Sequence, residues 1–293
     1  MDIKSLLRKL RKYEVQIRKA VKSPMAGEMK SVFKGTGIEF DDVRPYQYGD
    51  DVRNIDWNVT AKGHGAYIKT FKEDKDQSVF IAVDVSDSQS INEGKKLHIA
   101  KEIAGVLSMA SANLGSQIGL LGFSDRTEIF IKPKKGKLHA YEIITRLFSL
   151  KNKSHGTSLN AAFKSIMGVA KRTSLVIVIS DFLDKDYESS FRLVAQKHDL
   201  VLIHVVDDKE KKAPRLGIAP VMESETKTRR WANTSFSGLR TRLKKQQEQT
   251  SLYLQELCKK QQVDYVQVDT ENEYVQPLVQ LFKKRNLTWK RAS

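Results

Sequence analysis

Two kinds of apolar pattern alternate along most of the chain. From residue 78 onward, short continuous apolar runs are separated by longer stretches in which apolar positions recur every three or four residues. Continuous runs are typical of strands buried on both faces, and the wider spacing is typical of helices that bury one face. The alternation therefore predicts a doubly wound α/β fold, with a mostly parallel sheet and helices on both of its faces.

The predicted elements follow from these two patterns. The strands are expected at residues 78–85, 117–123, 127–132, 174–181, 199–207 and 263–269. The helices are expected at residues 95–114, 137–150, 159–171, 187–196, 237–261 and 273–284. Because only Ser124, Asp125 and Arg126 separate the second and third strands, these two strands are expected to form a hairpin. The segment near 210–235 fits neither pattern and is interpreted as a β-hairpin or loop inserted at the sheet edge.

The first 75 residues differ from the rest. Residues 2–22 carry an apolar stripe opposite a basic face, which predicts a helix. This helix either packs on the main body or lies on a membrane surface or a partner, and the lack of Trp and Phe in the stripe favours packing. Residues 33–74 are rich in Gly, Asp, Arg and aromatic residues, with a short strand predicted at 66–71. We therefore expect an N-terminal helix and a mixed β extension in residues 1–75, followed by the α/β domain in residues 76–293.

Composition indicates an ordinary globular protein. The chain has 293 residues, of which 40% are hydrophobic, and this is enough apolar material for one large core or two modest ones. The single cysteine, Cys258, excludes a disulfide framework, which fits a reducing compartment. Charged residues interrupt the apolar positions at the start of the chain, and no apolar stretch reaches about eighteen residues. These features predict a cytoplasmic protein without a transmembrane segment.

The chain is strongly basic. Its 51 Lys and Arg residues outnumber 35 Asp and Glu residues, which leaves a net charge of +16. Such a surface can meet an acidic protein, an anionic lipid or a nucleic acid. The charge is spread over many segments, without an aromatic ladder or a known nucleic-acid-binding motif, so an interaction with nucleic acid would rest on charge alone. Peripheral contact with a membrane stays open.

Small oxygen-bearing side chains follow two predicted strands and open one helix. Asp84, Ser86 and Ser88 close the first strand, Thr157 opens a helix, and Asp181 closes the strand that begins at residue 174. Ligands of open parallel sheets bind outside the carboxyl ends of the strands, and hard cations prefer oxygen ligands. The pattern predicts a site for Mg²⁺ or Mn²⁺. The alternative is helix capping, which Ser, Thr and Asp also perform, and Thr157 in particular could be only a cap.

These motifs resemble known families. D-V-S-D-S, followed by G-T-S-L and I-S-D, resembles the metal-ion-dependent adhesion site of von Willebrand factor A domains. The preceding block, F-K-G-x-G-x-E-F-x-x-x-R-x-Y-x-x-G-D-x-x-R-x-I-D-W-x-x-x-A-K, is similar to the signature of the bacterial domain of unknown function 58 family. The resemblance covers essentially the whole chain. It implies a von Willebrand factor A-like fold, a complete set of metal ligands (Asp84, Ser86, Ser88, Thr157 and Asp181) and association with a MoxR-type AAA+ ATPase.

The signature block has charged and aromatic residues of its own. They are Arg44, Tyr46, Asp50, Arg53, Asp56 and Trp57. The charged members are expected to form a paired-charge network, with the two aromatic members as packing anchors. Both a structural clasp and a partner-facing surface are consistent with this composition.

Missing motifs narrow the function. The chain has no P-loop, no nucleophile elbow and no H-E-x-x-H motif. We therefore predict a non-enzymatic, metal-dependent protein-interaction module. The family resemblance implies that it is an adaptor of a MoxR-type AAA+ ATPase in the assembly or maturation of other proteins. A carboxylate of the partner would complete the metal site. Two alternatives stay open: a Mg²⁺-dependent phosphotransfer or hydrolytic enzyme with Asp84 as nucleophile, and a basic-surface binder of membrane or nucleic acid.

Overall fold

The computed structural model describes most of the chain. The described residues are 3–21, 38–61, 65–73, 78–86, 91–150, 156–207, 218–222, 229–233 and 237–292. They belong to two compact units, one of residues 1–33 with 78–293 and one of residues 34–77. The first helix therefore belongs to the larger unit, whereas the sequence-based division grouped it with the extension in residues 1–75.

The secondary structure follows the predicted order. The helices are α1 (Ile3–Val21), α2 (Trp57–Thr60), α3 (Ile91–Asn113), α4 (Lys137–Ser149), α5 (Leu159–Val169), α6 (Glu188–Lys197), α7 (Ser237–Lys260) and α8 (Val275–Ala292), with a short 3-10 helix at Val52–Asn54. The strands are β1 (Ile38–Pro45), β2 (Tyr67–Glu73), β3 (Ser78–Asp84), β4 (Gln117–Phe123), β5 (Thr127–Lys134), β6 (Leu175–Ser180), β7 (Asp199–Val206), β8 (Ile218–Met222), β9 (Arg229–Asn233) and β10 (Asp264–Asp269). Helix α3 begins earlier than predicted and α8 ends later.

The larger unit is built on a six-stranded sheet. Its strand order is β10-β7-β6-β3-β4-β5, in which every neighbouring pair is parallel except β4 and β5. If the six strands are renumbered 1 to 6 in chain order, the sheet reads 3-2-1-4-5-6 from β5 to β10. This is the strand order of doubly wound folds, in which the direction of winding reverses between strands 1 and 4. Here the reversal lies between β3 and β6. The predicted fold class and the β4–β5 hairpin are confirmed.

Both faces of the sheet are buried, which explains the continuous apolar runs. Ile81 and Val83 of β3 pack into a core with residues of α1, α3, α4 and α8. Phe80 and Ala82 of the same strand pack on the opposite face, in a core with residues of α5, α6 and α7. Because consecutive strand residues point to opposite faces, a strand covered on both sides needs apolar residues at nearly every position.

Helix α1 packs on the main body, as the first interpretation of its apolar stripe predicted. Leu6, Leu10 and Ile17 are buried in the core shared with α3 and α8. Gly105 of α3 allows the close approach, because a Cβ atom at this position would lie 3.0 Å from Cδ1 of Leu10. Among the helices of the described residues, none has the length and apolar character that crossing a membrane requires.

Two small antiparallel sheets complete the fold. Strands β8 and β9 pair with each other within the predicted insertion, which confirms the hairpin rather than the loop, and they form a sheet separate from the six-stranded one. Strands β1 and β2 pair in the smaller unit, as the mixed β extension predicted.

Candidate metal centre

The two carboxylates of the predicted site lie at the reversal point of the sheet. Asp84 is the last residue of β3, and Asp181 directly follows β6. These strands are parallel neighbours in which Val83 is level with Ile179. Both side chains therefore start from the same carboxyl edge, at the position where doubly wound sheets bind ligands.

Asp84 is held in place by hydrogen bonds to both of its oxygens. The backbone N–H of Ser86 donates to Oδ1 at 3.0 Å, and the Ser180 hydroxyl donates to Oδ2 at 2.7 Å. The Ser86 side chain also donates to this carboxylate. Ser180 is fixed in turn, because its Oγ accepts the backbone N–H of Phe182 at 3.0 Å. All of these groups are buried, so Asp84 and Ser86 are linked by hydrogen bonds to the end of β6.

Burial gives Asp84 an unusual proton affinity. The cost of removing its charge from water, together with the negative charge of Asp181, raises its pKa to about 6. Hydrogen bonds from Ser86 and Ser180 oppose this rise without cancelling it. Two buried carboxylates that repel each other form an environment in which a bound cation stabilises both ionised groups.

A buried lysine of α3 also belongs to the site, and the sequence analysis missed it. Nζ of Lys96 lies 2.9 Å from Oδ2 of Asp181, and the exposed fractions of the two side chains are 1% and 4%. A helical pattern could have found it, since Lys96 precedes the fully buried Ala100 by four residues and so lies on the core-facing side of the helix.

Thr157 lies just before α5 but does not cap it. The N-cap is Ser158, whose hydroxyl accepts the backbone N–H of Ala161 at 3.2 Å. The Thr157 hydroxyl is buried and has no hydrogen-bond partner among the described residues. A buried hydroxyl without a partner is destabilising by about 1–3 kcal/mol. The capping interpretation therefore applies to Ser158 and not to Thr157.

The Thr157 loop is anchored to the same edge of the sheet. The backbone N–H of Ser158 donates to the carbonyl oxygen of Ser124, after β4, at 2.9 Å. The backbone N–H of Leu159 donates to Oδ2 of Asp184, after β6, at 2.7 Å. These two bonds hold the loop between the strand ends on either side of β3, from which Asp84 extends.

The structure thus brings four of the five predicted ligands to one edge of the sheet. Ser88 lies outside the described residues. Within the described part of the chain, no three His, Cys, Asp or Glu side chains form a cluster that could hold a metal ion. Carboxylates and hydroxyls are oxygen donors that divalent cations accept, so the residues present fit a divalent cation.

A narrow cleft opens beside Asp181. It has a volume of about 110 Å³ and is lined by Asp181, Leu183, His204, Val205, Val206, Gln246, Gln247 and Thr250. His204 is buried, which lowers its pKa to about 4, and its Nδ1 lies 2.8 Å from the Tyr265 hydroxyl. The histidine is therefore neutral near pH 7. The side-chain amides of Gln246 and Gln247, both on α7, make part of the cleft lining polar.

Arg44 and Asp50 of the smaller unit form a bidentate pair. The two guanidinium nitrogens of Arg44 donate to the two carboxylate oxygens of Asp50 at 2.8 and 2.7 Å. The backbone N–H of Gln47 also donates to Asp50. The Arg44 contact lowers the pKa of Asp50 below its ordinary value. This pair closes the loop after β1, as a structural clasp would.

The other members of the signature block differ from the prediction. Arg53 pairs with its neighbour Asp51 at 2.8 Å, and Asp56 caps α2 through backbone N–H groups. The charges therefore form separate local contacts rather than one network, because each aspartate lies within reach of nearby backbone donors. Trp57 is 69% exposed and does not serve as a packing anchor. Tyr46 is half-buried, and its backbone N–H donates to Ala66.

Sequence comparisons place the chain among bacterial proteins. A model of the family described as "Protein of unknown function DUF58" matches residues 42–252. Uncharacterized protein Mb1516 of Mycobacterium bovis is 23% identical over 231 residues, which cover 77% of this chain and 73% of the relative. Uncharacterized protein Rv1480 of Mycobacterium tuberculosis matches with the same identity and coverage.

Structural comparisons find similar chains of low sequence identity. The conserved hypothetical protein BatB from Bacteroides thetaiotaomicron has a TM-score of 0.45 and 17% identity, covering 71% of this chain and 98% of that chain. The VWA domain of SpRpn10 has a TM-score of 0.38 and 8% identity, covering 69% and 93%. Proximal thread matrix protein 1 from the mussel byssus, with a zinc-occupied MIDAS motif, has a TM-score of 0.35 and 15% identity, covering 44% and 38%.

Proposed function

The chain belongs to the family described as "Protein of unknown function DUF58", and we propose that it acts as a metal-dependent protein-interaction module. Its ion would be Mg²⁺ or Mn²⁺, held by Asp84, Ser86, Ser88, Thr157 and Asp181. The observation that carries this proposal is the buried Thr157 hydroxyl, which has no hydrogen-bond partner in the part of the chain that the structure describes and lies at the edge where the two carboxylates end. An oxygen in that position is satisfied by a bound cation.

The chemistry of the donor set favours binding of an anionic group. A divalent cation held by few carboxylates keeps positive charge and retains exchangeable water. A carboxylate from a partner protein could replace one of these waters and complete the coordination. The cleft beside Asp181 gives a partner side chain room to approach from the side of α7. Metal and partner would then bind at one place, each increasing the affinity of the other.

The partner we propose is a MoxR-type AAA+ ATPase, with the chain as its adaptor in assembly or maturation of other proteins. The support is the signature block between Phe33 and Lys62, whose resemblance implies such an association. The exposed Trp57 in this block favours the partner-facing interpretation, since aromatic side chains dominate the energetics of many interfaces. A cytoplasmic location is part of the same proposal, because an ATPase partner works where ATP is available.

An enzymatic role has less support in the geometry. A nucleophilic Asp84 would need a second carboxylate two residues later, as in aspartyl-phosphate enzymes, but Ser86 stands at that position. His204, which lines the cleft beside Asp181, contacts Tyr265 and the backbone of Asp181. Neither arrangement offers a group poised to activate water or to receive a phosphoryl group. Binding without turnover is the simpler function of this site.

A basic-surface binder is the remaining alternative. The element best suited to such binding is α1, whose basic face could lie on a membrane or on nucleic acid. The apolar stripe of this helix is already buried against α3 and α8, so only its charged face is available. A surface that binds through exposed charge alone would show steep salt dependence and no need for a metal ion.

Thermal unfolding with and without divalent metal tests the proposal. An ion that binds only the folded state at a hundred times its dissociation constant adds about 2.7 kcal/mol, which raises Tm by roughly 5–10 °C in a chain of this size. Asp84→Ala and Asp181→Ala should lose this increment. Asp269→Ala is a matched control, since Asp269 ends β10 in the same sheet but away from the site. An equal Tm increase in all of these variants would remove the metal site from the proposal.

A further inference from the structure

Lys96 introduces a positive charge of the protein into the proposed metal site. Lysine is almost never fully buried unless it is paired, and here one partner is Asp181, which is also one of the proposed ligands. The second oxygen of Asp181, Oδ1, accepts the backbone N–H of Leu183 at 3.3 Å. Both oxygens of this carboxylate are therefore engaged. A divalent cation that uses Asp181 must either displace the ammonium group or lie close to it.

The helix that carries Lys96 is fixed. Ala100, Ile103 and Leu107 of α3 are fully buried in the core beneath the sheet. Cation binding is consequently expected to displace the side chain of Lys96 rather than the backbone of α3. Taking an ammonium group away from its carboxylate inside a protein has a substantial free-energy cost. Leaving it in place adds repulsion between two cations in a region of low dielectric constant.

We propose that Lys96 is an internal competitor of the divalent cation, which neutralises Asp181 in the metal-free protein and lowers the affinity of the site for metal. This inference rests on the metal site of the proposed function. The formal charges show its consequence. Ionised Asp84 and Asp181 with Lys96 have one net negative charge, so a divalent cation leaves the site with one net positive charge. Lys96 would thus lower the affinity of the site for the metal ion and strengthen its attraction for an incoming carboxylate.

The neighbouring lysine offers a matched control. Lys95 is 39% exposed and pairs with Glu271 at 3.3 Å, away from Asp181. The substitutions Lys95→Met and Lys96→Met remove the same charge from adjacent positions of one helix. Only the second removes it from the buried site. A general effect of net charge on metal binding would appear in both variants, whereas competition for Asp181 would appear only in Lys96→Met.

The experiment is a calorimetric titration of the full chain with Mn²⁺. Lys96→Met should bind Mn²⁺ about tenfold or more tightly than the unmodified chain, because a buried like charge has been removed. Lys95→Met should match the unmodified chain. Lys96→Arg keeps the charge and should keep the weaker affinity. If Lys96→Met is unstable without metal, thermal melts at several Mn²⁺ concentrations give the same information, since its Tm must begin to rise at a lower Mn²⁺ concentration than that of the unmodified chain.

The possible results distinguish the competitor role of Lys96 from the existence of the metal site. Equal Mn²⁺ affinity in the unmodified chain, Lys95→Met and Lys96→Met would overturn the competitor role and leave the metal site intact. No binding by any variant would overturn both the competitor role and the proposed function. Binding by Lys96→Met alone would support competition and show that the unmodified chain works without a metal ion.

Discussion

The Nζ atom of Lys96 lies 2.9 Å from Oδ2 of Asp181, and together they form an ion pair that is almost completely shielded from water. Such a pair is weak evidence for extra stability, because the removal of both charges from water offsets their attraction. The loss of one partner is different, since it leaves an uncompensated buried charge. The stability of the metal-free protein should therefore depend on the two charges jointly rather than on either alone.

This coupling can be measured by denaturation in the presence of a chelator. Lys96→Met and Asp181→Asn should each lower the free energy of unfolding by about 3 kcal/mol, and the double variant should lose much less than the sum. The exposed pair of Lys95 and Glu271 is the control, with an expected coupling of at most about 1 kcal/mol. Additive losses at Lys96 and Asp181 would mean that the two residues act independently.

Thr157 and Ser158 should respond in opposite ways to loss of their hydroxyls. Thr157→Val removes a buried hydroxyl that has no partner among the residues of known placement, so the metal-free protein should be equally or more stable, while the Tm increase from Mg²⁺ or Mn²⁺ should shrink. Ser158→Ala removes the α5 cap and should lower the free energy of unfolding by about 1 kcal/mol without changing the metal effect. Thermal melts with and without metal would separate the two, and an unchanged metal effect in Thr157→Val would exclude this hydroxyl as a ligand.

Partner binding should depend on metal rather than on surface charge. In a pull-down with a MoxR-type ATPase, chelator and Asp84→Ala should each weaken the complex. Reversing the charges of Arg8 and Lys12, which are exposed on α1, should matter mainly at low salt because screening acts over about 10 Å at 0.1 M. Lys9 is unsuitable for this test, since it pairs with the buried Glu102. Binding that survives chelator but fails after the α1 reversal would favour basic-surface docking.

The purified chain should not hydrolyse ATP or phosphoesters above background in Mg²⁺ or Mn²⁺. The reason is that Ser86 stands where a nucleophilic aspartate would need a second carboxylate, and that His204 beside the site is engaged by Tyr265. A sensitive phosphate-release assay can check this with Asp84→Asn as the matched variant. Turnover that disappears in Asp84→Asn would make the chain an enzyme and replace the binding function.

His198 should make the protein less stable in mild acid. The residue is 4% exposed, and its two ring nitrogens have no hydrogen-bond partner among the described residues. Burial, reinforced by the charge of Lys197, lowers its pKa to about 4. The imidazole of the unfolded chain is protonated near pH 6.5, whereas that of the folded protein is protonated only near pH 4. The free energy of unfolding is therefore unaffected by His198 above pH 6.5. It falls as the pH drops from 6.5 toward 4, by up to about 3 kcal/mol.

His198→Leu should remove this part of the pH dependence. Urea denaturation of both proteins between pH 7 and about pH 4 would measure it. Other acid-sensitive groups, including His204, are present in both proteins and cancel in the difference. Parallel stability curves for the two proteins over this range would show that His198 is protonated equally in the folded and unfolded states.

Much of the fold and part of the site could be predicted from local patterns. The run at residues 174–181 indicated a buried strand because burial on both faces requires apolar residues at consecutive positions. Asp84 and Asp181 could be assigned to one place without coordinates, since parallel strands end at the same edge of the sheet. Trp57 could not be assigned this way, because the pattern around an aromatic residue in an irregular segment does not reveal whether it is buried.

The sequence by itself determined the order of strands and helices, the doubly wound class and the edge at which the oxygen-bearing residues gather, because each depends on periodicity along short segments. Only the tertiary structure decided which groups meet there. Lys96 pairs with a residue 85 positions later in the chain, and a contact between such distant positions cannot be predicted from the pattern of a short segment. Ser158 rather than Thr157 caps α5 because the backbone turns at Ser158, with φ −133° and ψ 95°. Contacts of this kind depend on packing between distant segments, which sets the direction of each side chain.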